Sequence, residues 1–306
     1  MKLYQFIEKH FWIFMIAGLV LGLSYPIYNE LLMQLFEPLL MIMLLLVFLK
    51  SDLVHILREI KNYKLMLYLV CAYMIIIPVL FFFAIDLFNH KLAIGILLLT
   101  AMPAAVSLPA LADIVKGNTA LSTSITIVTS IIAPFTIPIL FGLLNFDNLA
   151  INPWQIFKDL SIIIFIPMLL SQVIRKFFTK TIHKTKHLFT SINILLLSIM
   201  VYIVMGSIRD VVIVDSMDII MQVVFLYIIF SLLHVIGYLL AYKQNNQNKI
   251  TISIGAAYMN NSMAIVLAAK YFDPYILVLM VLSELPWTTM LAPFRKIISL
   301  RKINDS

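Results

Sequence analysis

The residues best suited to binding a solute lie inside a segment that is otherwise apolar. Asn260, Asn261 and Ser262 follow one another in the middle of the apolar run 251–269. Two adjacent amides facing lipid would be costly, so at least one should face protein or a water-filled cavity. These side chains could bind a polar substrate, or they could hydrogen-bond a neighbouring helix at about 0.6 kcal/mol per bond. We take all three as candidate substrate-binding residues.

Hydroxyl groups supply candidates for binding a coupling ion. Ser122 and Thr126 lie in the apolar run 119–144. They are four residues apart and therefore share one face of a helix. Their oxygens could coordinate a small cation or bond back to the preceding turn, and the sequence favours neither role.

Two carboxylates also lie within apolar runs. Glu284 is near the centre of 274–294, and Glu37 is a third of the way into 31–49. A charge at the bilayer centre costs about 2.5–3.5 kcal/mol on insertion scales and usually faces an interior path or a partner. Glu284 is therefore either a protonatable coupling group or a structural acid.

Two prolines predict a break in the run 92–112. Pro103 and Pro109 are six residues apart there, and each removes a backbone donor and clashes with the preceding turn. A kinked, closely packed helix and a broken helix lining a cavity both fit. We favour the broken helix because the other half of the chain has a matching polar interruption. Ser107 and Pro109 therefore join the candidate substrate-binding residues.

The elements that hold these residues are those of an integral membrane protein. Of the 306 residues, 62% are hydrophobic and 12% charged, and the mean hydropathy is +1.03. A soluble domain carries about 25% charged residues. Helices satisfy their own backbone groups in lipid, at roughly 20 residues per span. We predict an all-α protein with ten transmembrane helices, at about 11–28, 31–49, 65–87, 92–112, 119–144, 156–174, 190–208, 218–242, 251–269 and 274–294.

The distribution of basic residues predicts the orientation. Eighteen of the 22 Lys and Arg residues fall on the side of the N-terminus, and only Lys91, Lys158, Arg209 and Lys270 fall on the other. The positive-inside rule then places both termini in the cytoplasm, with the chain in the cytoplasmic membrane. Because the net charge of +7 lies in these short loops, we expect the lipid bilayer as partner and no nucleic acid.

Ten spans divide into two halves of five, at about 1–150 and 151–306. An odd number of spans inverts the second half relative to the first. The tripeptide Ala-Pro-Phe at 133–135 recurs at 292–294, although three residues can match by chance. We predict one transporter domain of two inverted five-helix repeats, with spans four and nine broken near the site.

Several motifs resemble the bile acid:sodium symporter superfamily, in its divergent bacterial-type members. They are Met-Pro at 102–103, K-G-N-x-A-L-S-x-S-I-T at 116–126 and A-P-F-x-x-P at 133–138. The run 259–262 is similar to the superfamily's M-Q-N-S element. The resemblance implies a ten-helix inverted-repeat fold in which spans four and nine cross near the site. Auxin-efflux-type and arsenite carriers share a similar plan.

The resemblance also implies a sodium site made of oxygens from spans three, four, five and nine. Ser122 and Thr126 match the span-five hydroxyls. Asn260 and Asn261 match the span-nine Gln-Asn pair, whereas Leu108, Pro109, Tyr73 and Ala256 stand at the other side-chain ligand positions. Leu108, Pro109, Tyr73 and Ala256 supply no carboxylate or amide oxygen, so most of the sodium site is expected to be missing. A local misalignment, coupling to protons and uncoupled transport all remain open.

The predicted function is secondary transport of a small organic solute by alternating access. The N-termini of half-helices favour an anion, and Glu284 is the candidate proton carrier. The alternatives are a non-transporting membrane sensor or partner protein on the same scaffold, and an auxin-efflux-type permease. We expect no enzyme and no cofactor beyond sodium or a proton, because no metal cluster, phosphate loop or nucleophile–base pair can be identified. Substrate, coupling ion, direction and oligomeric state are left open.

Overall fold

The computed structural model describes residues 3–26, 32, 34–50, 63–144, 152–207, 209 and 216–304. Regular secondary structure in these ranges is helical, with one isolated antiparallel bridge between Ala104 and Met259. The predicted all-α class is thus confirmed for the described part of the chain. The ten spans, the inverted repeats and the single transmembrane domain stay predictions. The predicted repeat boundary near residue 150 lies outside the described residues.

The helices of the first half surround one short and deeply buried helix. In order they are α1 (Leu3–Lys9), α2 (Phe11–Ser24), α3 (Phe36–Lys50), α4 (Tyr63–Cys71), α5 (Ile77–Asp86), α6 (His90–Thr100), α7 (Leu108–Ile114) and α8 (Thr119–Leu143). A π-helical segment, Ala72–Ile76, joins α4 to α5. Every residue of α6 from 93 to 100 is buried, so α6 lies at the centre of the protein.

The helices of the second half include a similarly buried segment, residues 250–257 at the end of α12. In order they are α9 (Pro153–Thr185), α10 (Phe189–Ser207), α11 (Ser216–Leu240), α12 (Asn246–Ala257), α13 (Asn261–Tyr271), α14 (Pro274–Leu282), α15 (Glu284–Thr289) and α16 (Leu291–Asn304). A short 3-10 segment, Lys186–Leu188, joins α9 to α10. The helix α9 runs well beyond the predicted end at residue 174, and its backbone departs from helical geometry at Phe178.

Five helical stretches of the described chain are long and apolar enough to cross a membrane. They are Tyr63–Asp86, Thr119–Leu143, Pro153–Ser207, Met217–Leu240 and Pro274–Ser299. Two shorter apolar stretches, Ile13–Ser24 and His90–Thr100, accompany them. Spans four and nine are not among the long stretches, because each consists of two half-helices. The sequence predicted an interruption in both.

The outward faces of the long helices are apolar. On α9, Leu169 and Val173 are largely exposed, and on α11 so are Met221 and Leu239. Apolar patches of this extent are rare on soluble proteins. Lipid is the surrounding medium that fits such a surface.

The helices pack in two groups. The first bundle consists of α2, α3, α9 and α10, in which α2 packs on α10 and α3 on α9. A Cβ atom at Gly18 would lie 2.5 Å from the carbonyl oxygen of Ser198, and one at Gly22 would lie 2.6 Å from that of Tyr202. Only glycine allows α2 and α10 to approach this closely, as in small-xxx-small membrane contacts.

The second bundle consists of α4 to α8 and α11 to α15. Within it α5 packs on α6, α11 on α12, and α13 on α14, while α8 contacts both α7 and α12. The main contacts between the two bundles are α8 with α9, α3 with α13, and α10 with α14. Both pairs of half-helices therefore belong to the second bundle, and α13 also touches the first.

Candidate functional site

The break predicted in span four is present between α6 and α7. The helix α6 ends at Thr100 and α7 begins at Leu108, and seven residues separate them. Pro103 lies in this break, where its missing N–H costs no helical bond. Pro109 is instead the second residue of α7, a position where proline is favoured because no intrahelical donor is needed. Ser107, half-buried, precedes α7, and its side chain makes no capping bond to the described residues.

The break in span nine is shorter and is closed by an asparagine. The helix α12 ends at Ala257 and α13 begins at Asn261. The side-chain oxygen of Asn260 accepts a hydrogen bond from the backbone N–H of Met263 at 3.2 Å and so caps α13. Asparagine is among the best N-capping residues. This local role of Asn260 was missed from the sequence, although an N-cap asparagine is a recognisable signal.

The two breaks pair with each other through their backbones. The N–H of Ala105 donates to the carbonyl of Tyr258 at 2.8 Å, and the N–H of Asn260 donates to the carbonyl of Pro103 at 2.8 Å. Backbone groups released from a helix need partners inside a membrane, and here each break supplies them to the other. We call residues 101–107 and 258–260 together the crossing.

Side chains from α8 satisfy further backbone groups of the crossing. The hydroxyl of Thr129 accepts from the N–H of Ala104 at 3.1 Å, and the hydroxyl of Thr126 donates to the carbonyl of Ala105 at 3.1 Å. Ser122, one turn earlier, donates to the carbonyl of Thr119 at 2.7 Å. The protons of Ser122 and Thr126 are thus engaged with backbone, while their oxygens still have lone pairs for a ligand.

The predicted tenth span brings two further groups to the crossing. The indole N–H of Trp287 donates to the carbonyl of Met259 at 3.0 Å. The amide nitrogen of Asn261 donates to the hydroxyl of Ser283 at 2.9 Å. Span ten is itself interrupted at Ser283, between α14 and α15, because Pro286 has no N–H to continue the helix. This interruption and the roles of Trp287 and Ser283 were not predicted.

Glu284 is the first residue of α15 and directly follows Ser283. It is buried, with 7% of its surface exposed, and its Oε2 has no hydrogen-bond partner within the described residues. In the chain, Glu284 is the neighbour of Ser283, whose hydroxyl accepts the hydrogen bond from the Asn261 amide. The candidate coupling residue therefore belongs to the same interruption of span ten that contacts Asn261.

Several other buried polar atoms around the crossing lack a partner in the described part of the chain. They are the amide nitrogen of Asn260, the side-chain oxygen of Asn261, and the hydroxyls of Tyr258 and Ser130. Native proteins leave few such atoms, and each costs about 1–3 kcal/mol. Ser130 lies one turn after Thr126 on the same helical face. A polar ligand, an ion or water at the crossing would supply the missing hydrogen bonds.

Aromatic rings border this group of polar atoms. The ring of Tyr258 packs edge-on against those of Trp287 and His234, with centroids 5.4 Å apart in both pairs. Ser262 is buried beside Asn261 in the first turn of α13. The structure therefore brings together Asn260, Asn261, Ser262 and Thr126, and Glu284 follows the Ser283 partner of Asn261 in the chain. Ser107 and Pro109 lie at the far end of the span-four break, and Ser122 lies one turn along α8.

The positions that match the superfamily's sodium ligands are occupied by packed groups. The phenol of Tyr73 donates to the carbonyl of Ile252 at 2.7 Å. A Cβ at Gly237 would lie 2.8 Å from that of Ala256, so α11 and α12 are in close contact there. Leu108 is fully buried. These residues make close packing contacts where the resemblance implied ion ligands.

The fold and the site together define a helical membrane protein in which two broken helices cross at a buried polar centre. This arrangement is typical of secondary transporters. The family model of the sodium bile acid symporter family matches residues 37–216, more than half of the chain, and the chain belongs to this family. The resemblance inferred from the motifs is confirmed, and the protein is a multi-pass membrane transporter of a family of transporters rather than enzymes.

A relative is also found among curated bacterial proteins. The chain is 24% identical over 284 residues to YocS of Bacillus subtilis (strain 168), described as a sodium-dependent transporter. The alignment covers 89% of this chain and 85% of the relative. The similarity therefore extends to the second half, which holds α13 and α15.

Proposed function

We propose that this protein moves a small organic anion across the cytoplasmic membrane by alternating access, with the crossing as its binding site. The observation that carries the proposal is the group of buried polar atoms without partners among the described residues. The substrate-binding residues are then Asn260, Asn261 and Ser262, with Ser107 and Pro109 at the edge of the site. Rearrangement of the second bundle against the first would expose the site to each side in turn.

An anion is the favoured substrate because donors with positive character face the crossing. The helix α13 begins there, and its N-terminus carries a partial positive charge. The amide nitrogen of Asn260, at that N-terminus, is buried and has no acceptor within the described residues. A carboxylate or sulfonate oxygen would accept from this amide and lie at the favourable end of the helix.

We propose that Glu284 carries the coupling proton. A charged carboxylate at Glu284, which is the chain neighbour of the Ser283 partner of Asn261, would repel an anionic substrate, and protonation removes that repulsion. Binding of the proton and of the anion would therefore favour each other, which is what symport requires. The buried Oε2 of Glu284, which has no partner within the described residues, also leaves a place for the proton and its hydrogen bond.

Sodium coupling is the competing proposal for the same transporter. The name of YocS and the family's description both refer to sodium. In this chain, however, Leu108, Pro109, Tyr73 and Ala256 stand at matching ligand positions and offer no carboxylate or amide oxygen. Ser122, Thr126 and the two asparagines Asn260 and Asn261 offer few oxygens and no carboxylate for a hard cation, so we favour the proton.

A second candidate function is a membrane sensor or partner protein that binds a solute without moving it. The missing sodium ligands favour it, because a scaffold that lost its coupling ion can keep its binding site. An auxin-efflux-type permease would differ in substrate and share the mechanism. Saturable solute binding without flux in proteoliposomes would indicate that the protein is a sensor and not a transporter.

The first experiment is thermal unfolding of the detergent-purified protein in sodium, potassium or choline at equal ionic strength and at two pH values. A ligand that binds the folded state stabilises it by RT ln(1 + [L]/Kd). For a Kd of about 10 mM and sodium at about 200 mM, the gain is about 1.8 kcal/mol. A sodium-specific gain would refute our assignment of the coupling ion, whereas the proton proposal predicts equal stability in all three salts.

The second experiment measures flux in proteoliposomes with an imposed pH gradient and a panel of small carboxylates and sulfonates. We expect uptake driven by the gradient, and its loss in Glu284→Gln while substrate binding persists. The control is Asp86→Asn, which removes a carboxylate bonded to His90 at the end of α5, outside the crossing. Unchanged pH dependence in Glu284→Gln would exclude this residue as the proton carrier.

A further inference from the structure

A cluster of charged and polar side chains lies at the end of α13 away from the crossing. The Lys270 ammonium lies 2.5 Å from a carboxylate oxygen of Asp159 and 3.5 Å from one of Glu37. The Tyr271 hydroxyl donates to the same Asp159 oxygen, and the Gln155 amide donates to the other at 3.0 Å. We call these five residues the outer ion cluster, because the distribution of basic residues predicts that this end faces the outside.

The outer ion cluster joins the two bundles. Glu37 is in the first turn of α3, and Gln155 and Asp159 are near the start of α9, so all three belong to the first bundle. Lys270 and Tyr271 are the last two residues of α13, which belongs to the second. Two other ion pairs with both partners described, His90 with Asp86 and Lys91 with Asp273, each lie within the second bundle.

The same helix carries the candidate site at its other end. Asn261 is the first residue of α13 and Lys270 is the tenth. At 1.5 Å per residue, about 13.5 Å of rigid helix separate them. A movement of α13 relative to α3 and α9 would therefore change the crossing and stretch the ion pairs at the same time.

The cluster has the burial pattern of a contact that is strong yet able to open. Only 8% of the Asp159 side chain is exposed, whereas 39% of the Lys270 side chain is. A buried carboxylate needs its charged partner, so the pair resists separation. Because Lys270 lies at the water-accessible edge, it can be hydrated once the bundles part. The positive charge also stabilises the negative end of the α13 dipole.

We propose that the outer ion cluster is a latch that holds the outer side of the protein closed in this conformation and must release for the site to open outward. This inference rests on the proposed function, because it assigns the latch to one state of an alternating-access cycle. Asp159 is its central residue, since it accepts from the Lys270 ammonium, from the Tyr271 hydroxyl and from the Gln155 amide of its own helix. Glu37, which the sequence left as a carboxylate without a defined role, is a second acceptor for Lys270.

The test measures access to the crossing from outside. The sole cysteine, Cys71, is replaced by alanine, and Ser262→Cys places a thiol in the buried first turn of α13. Intact cells expressing the variants are treated with a membrane-impermeant maleimide, and the labelling rate is measured. In the Asp159→Asn background, where the amide keeps the shape of the side chain but loses the charge, we expect labelling at least about tenfold faster.

The matched control is Lys91→Gln. It removes an ion pair at the same end of the protein, with Lys91 3.4 Å from Asp273, but within one bundle. Labelling of Ser262→Cys should keep its original rate in this background. Equal acceleration by Lys91→Gln and Asp159→Asn would overturn the latch, because it would indicate general loosening. Unchanged labelling in correctly folded Asp159→Asn would overturn it as well.

A second variant keeps the test decisive if Asp159→Asn does not fold. Lys270→Gln removes the more exposed partner and should accelerate labelling in the same way, and unchanged labelling in it refutes the latch. Labelling requires neither substrate nor flux, so the latch and the proposed function can fail separately. Accelerated labelling in a protein without flux would support the latch and refute transport, whereas flux with unchanged labelling would do the reverse.

Discussion

Thr129 should be the threonine of α8 on which the crossing depends most. Its hydroxyl accepts the hydrogen bond from the N–H of Ala104, and no second acceptor for that N–H is found among the described residues. Thr129→Val keeps the shape of the side chain and leaves a buried backbone donor unpaired. Because an unpaired buried group costs about 1–3 kcal/mol, we expect the free energy of unfolding to fall by that amount.

Two neighbouring threonines give graded comparisons in the same helix. The carbonyl of Ala105 accepts from Thr126 and also from the N–H of Leu108 at 3.0 Å, so Thr126→Val leaves it with one partner. We expect a loss of less than about 1 kcal/mol, near the 0.6 kcal/mol typical of membrane hydrogen bonds. Thr123 only bonds back to Thr119, and Thr123→Val should change stability by less than about 0.5 kcal/mol.

Unfolding of the purified variants in detergent measures the free energies, and hydrogen exchange of the segment 101–107 locates the effect. A loss of 1–3 kcal/mol corresponds to roughly 5- to 150-fold faster exchange of the Ala104 amide. Equal destabilisation by Thr126→Val and Thr129→Val would refute the reasoning. So would normal protection of the Ala104 amide in Thr129→Val, because the hydroxyl would then not be its partner.

Two further predictions concern contacts of the helices around the crossing. Gly237→Ala should lower the free energy of unfolding by about 1–3 kcal/mol, because the new methyl would meet α12 at 2.8 Å. The control is Gly142→Ala, whose methyl would lie 3.2 Å from a proline ring. A similar loss in both variants would contradict the prediction. Trp287→Phe should lower the free energy of unfolding by about 0.5–1.5 kcal/mol, since it deletes the indole donor to the crossing. Trp154→Phe, at an exposed tryptophan, should cost less in the same unfolding assay, and the hydrogen bond would be unimportant if the two losses were equal.

The membrane character and the two breaks could be predicted because their causes are local. A continuous apolar run must be helical in lipid whatever its neighbours are. Pro103 lacks a donor in any fold, and the adjacent polar residues at 260–262 are costly in lipid wherever the helix lies. The helical class and the interruptions of spans four and nine followed from these facts alone.

The use of individual side chains could not be predicted because it depends on what lies opposite. Thr126 offers the same hydroxyl to a cation or to a carbonyl, and only the position of the span-four break assigns it to Ala105. Asn261 could have bonded any neighbouring helix, and the interruption of span ten supplies Ser283. Hydrogen-bonding capacity is a property of the residue, whereas the partner is a property of the packing.

The longest-range contacts lie furthest from what the chain reveals by itself. Lys270 and Glu37 are 233 residues apart, and each was identified from the sequence only as an isolated charge. Their approach requires α13 to pack against α3, which follows from the crossing and from the contact between the bundles. Apolar periodicity and missing donors act within a few residues and determine where helices run and break. Ion pairs and binding sites form between segments distant in sequence, so the tertiary structure alone decides them.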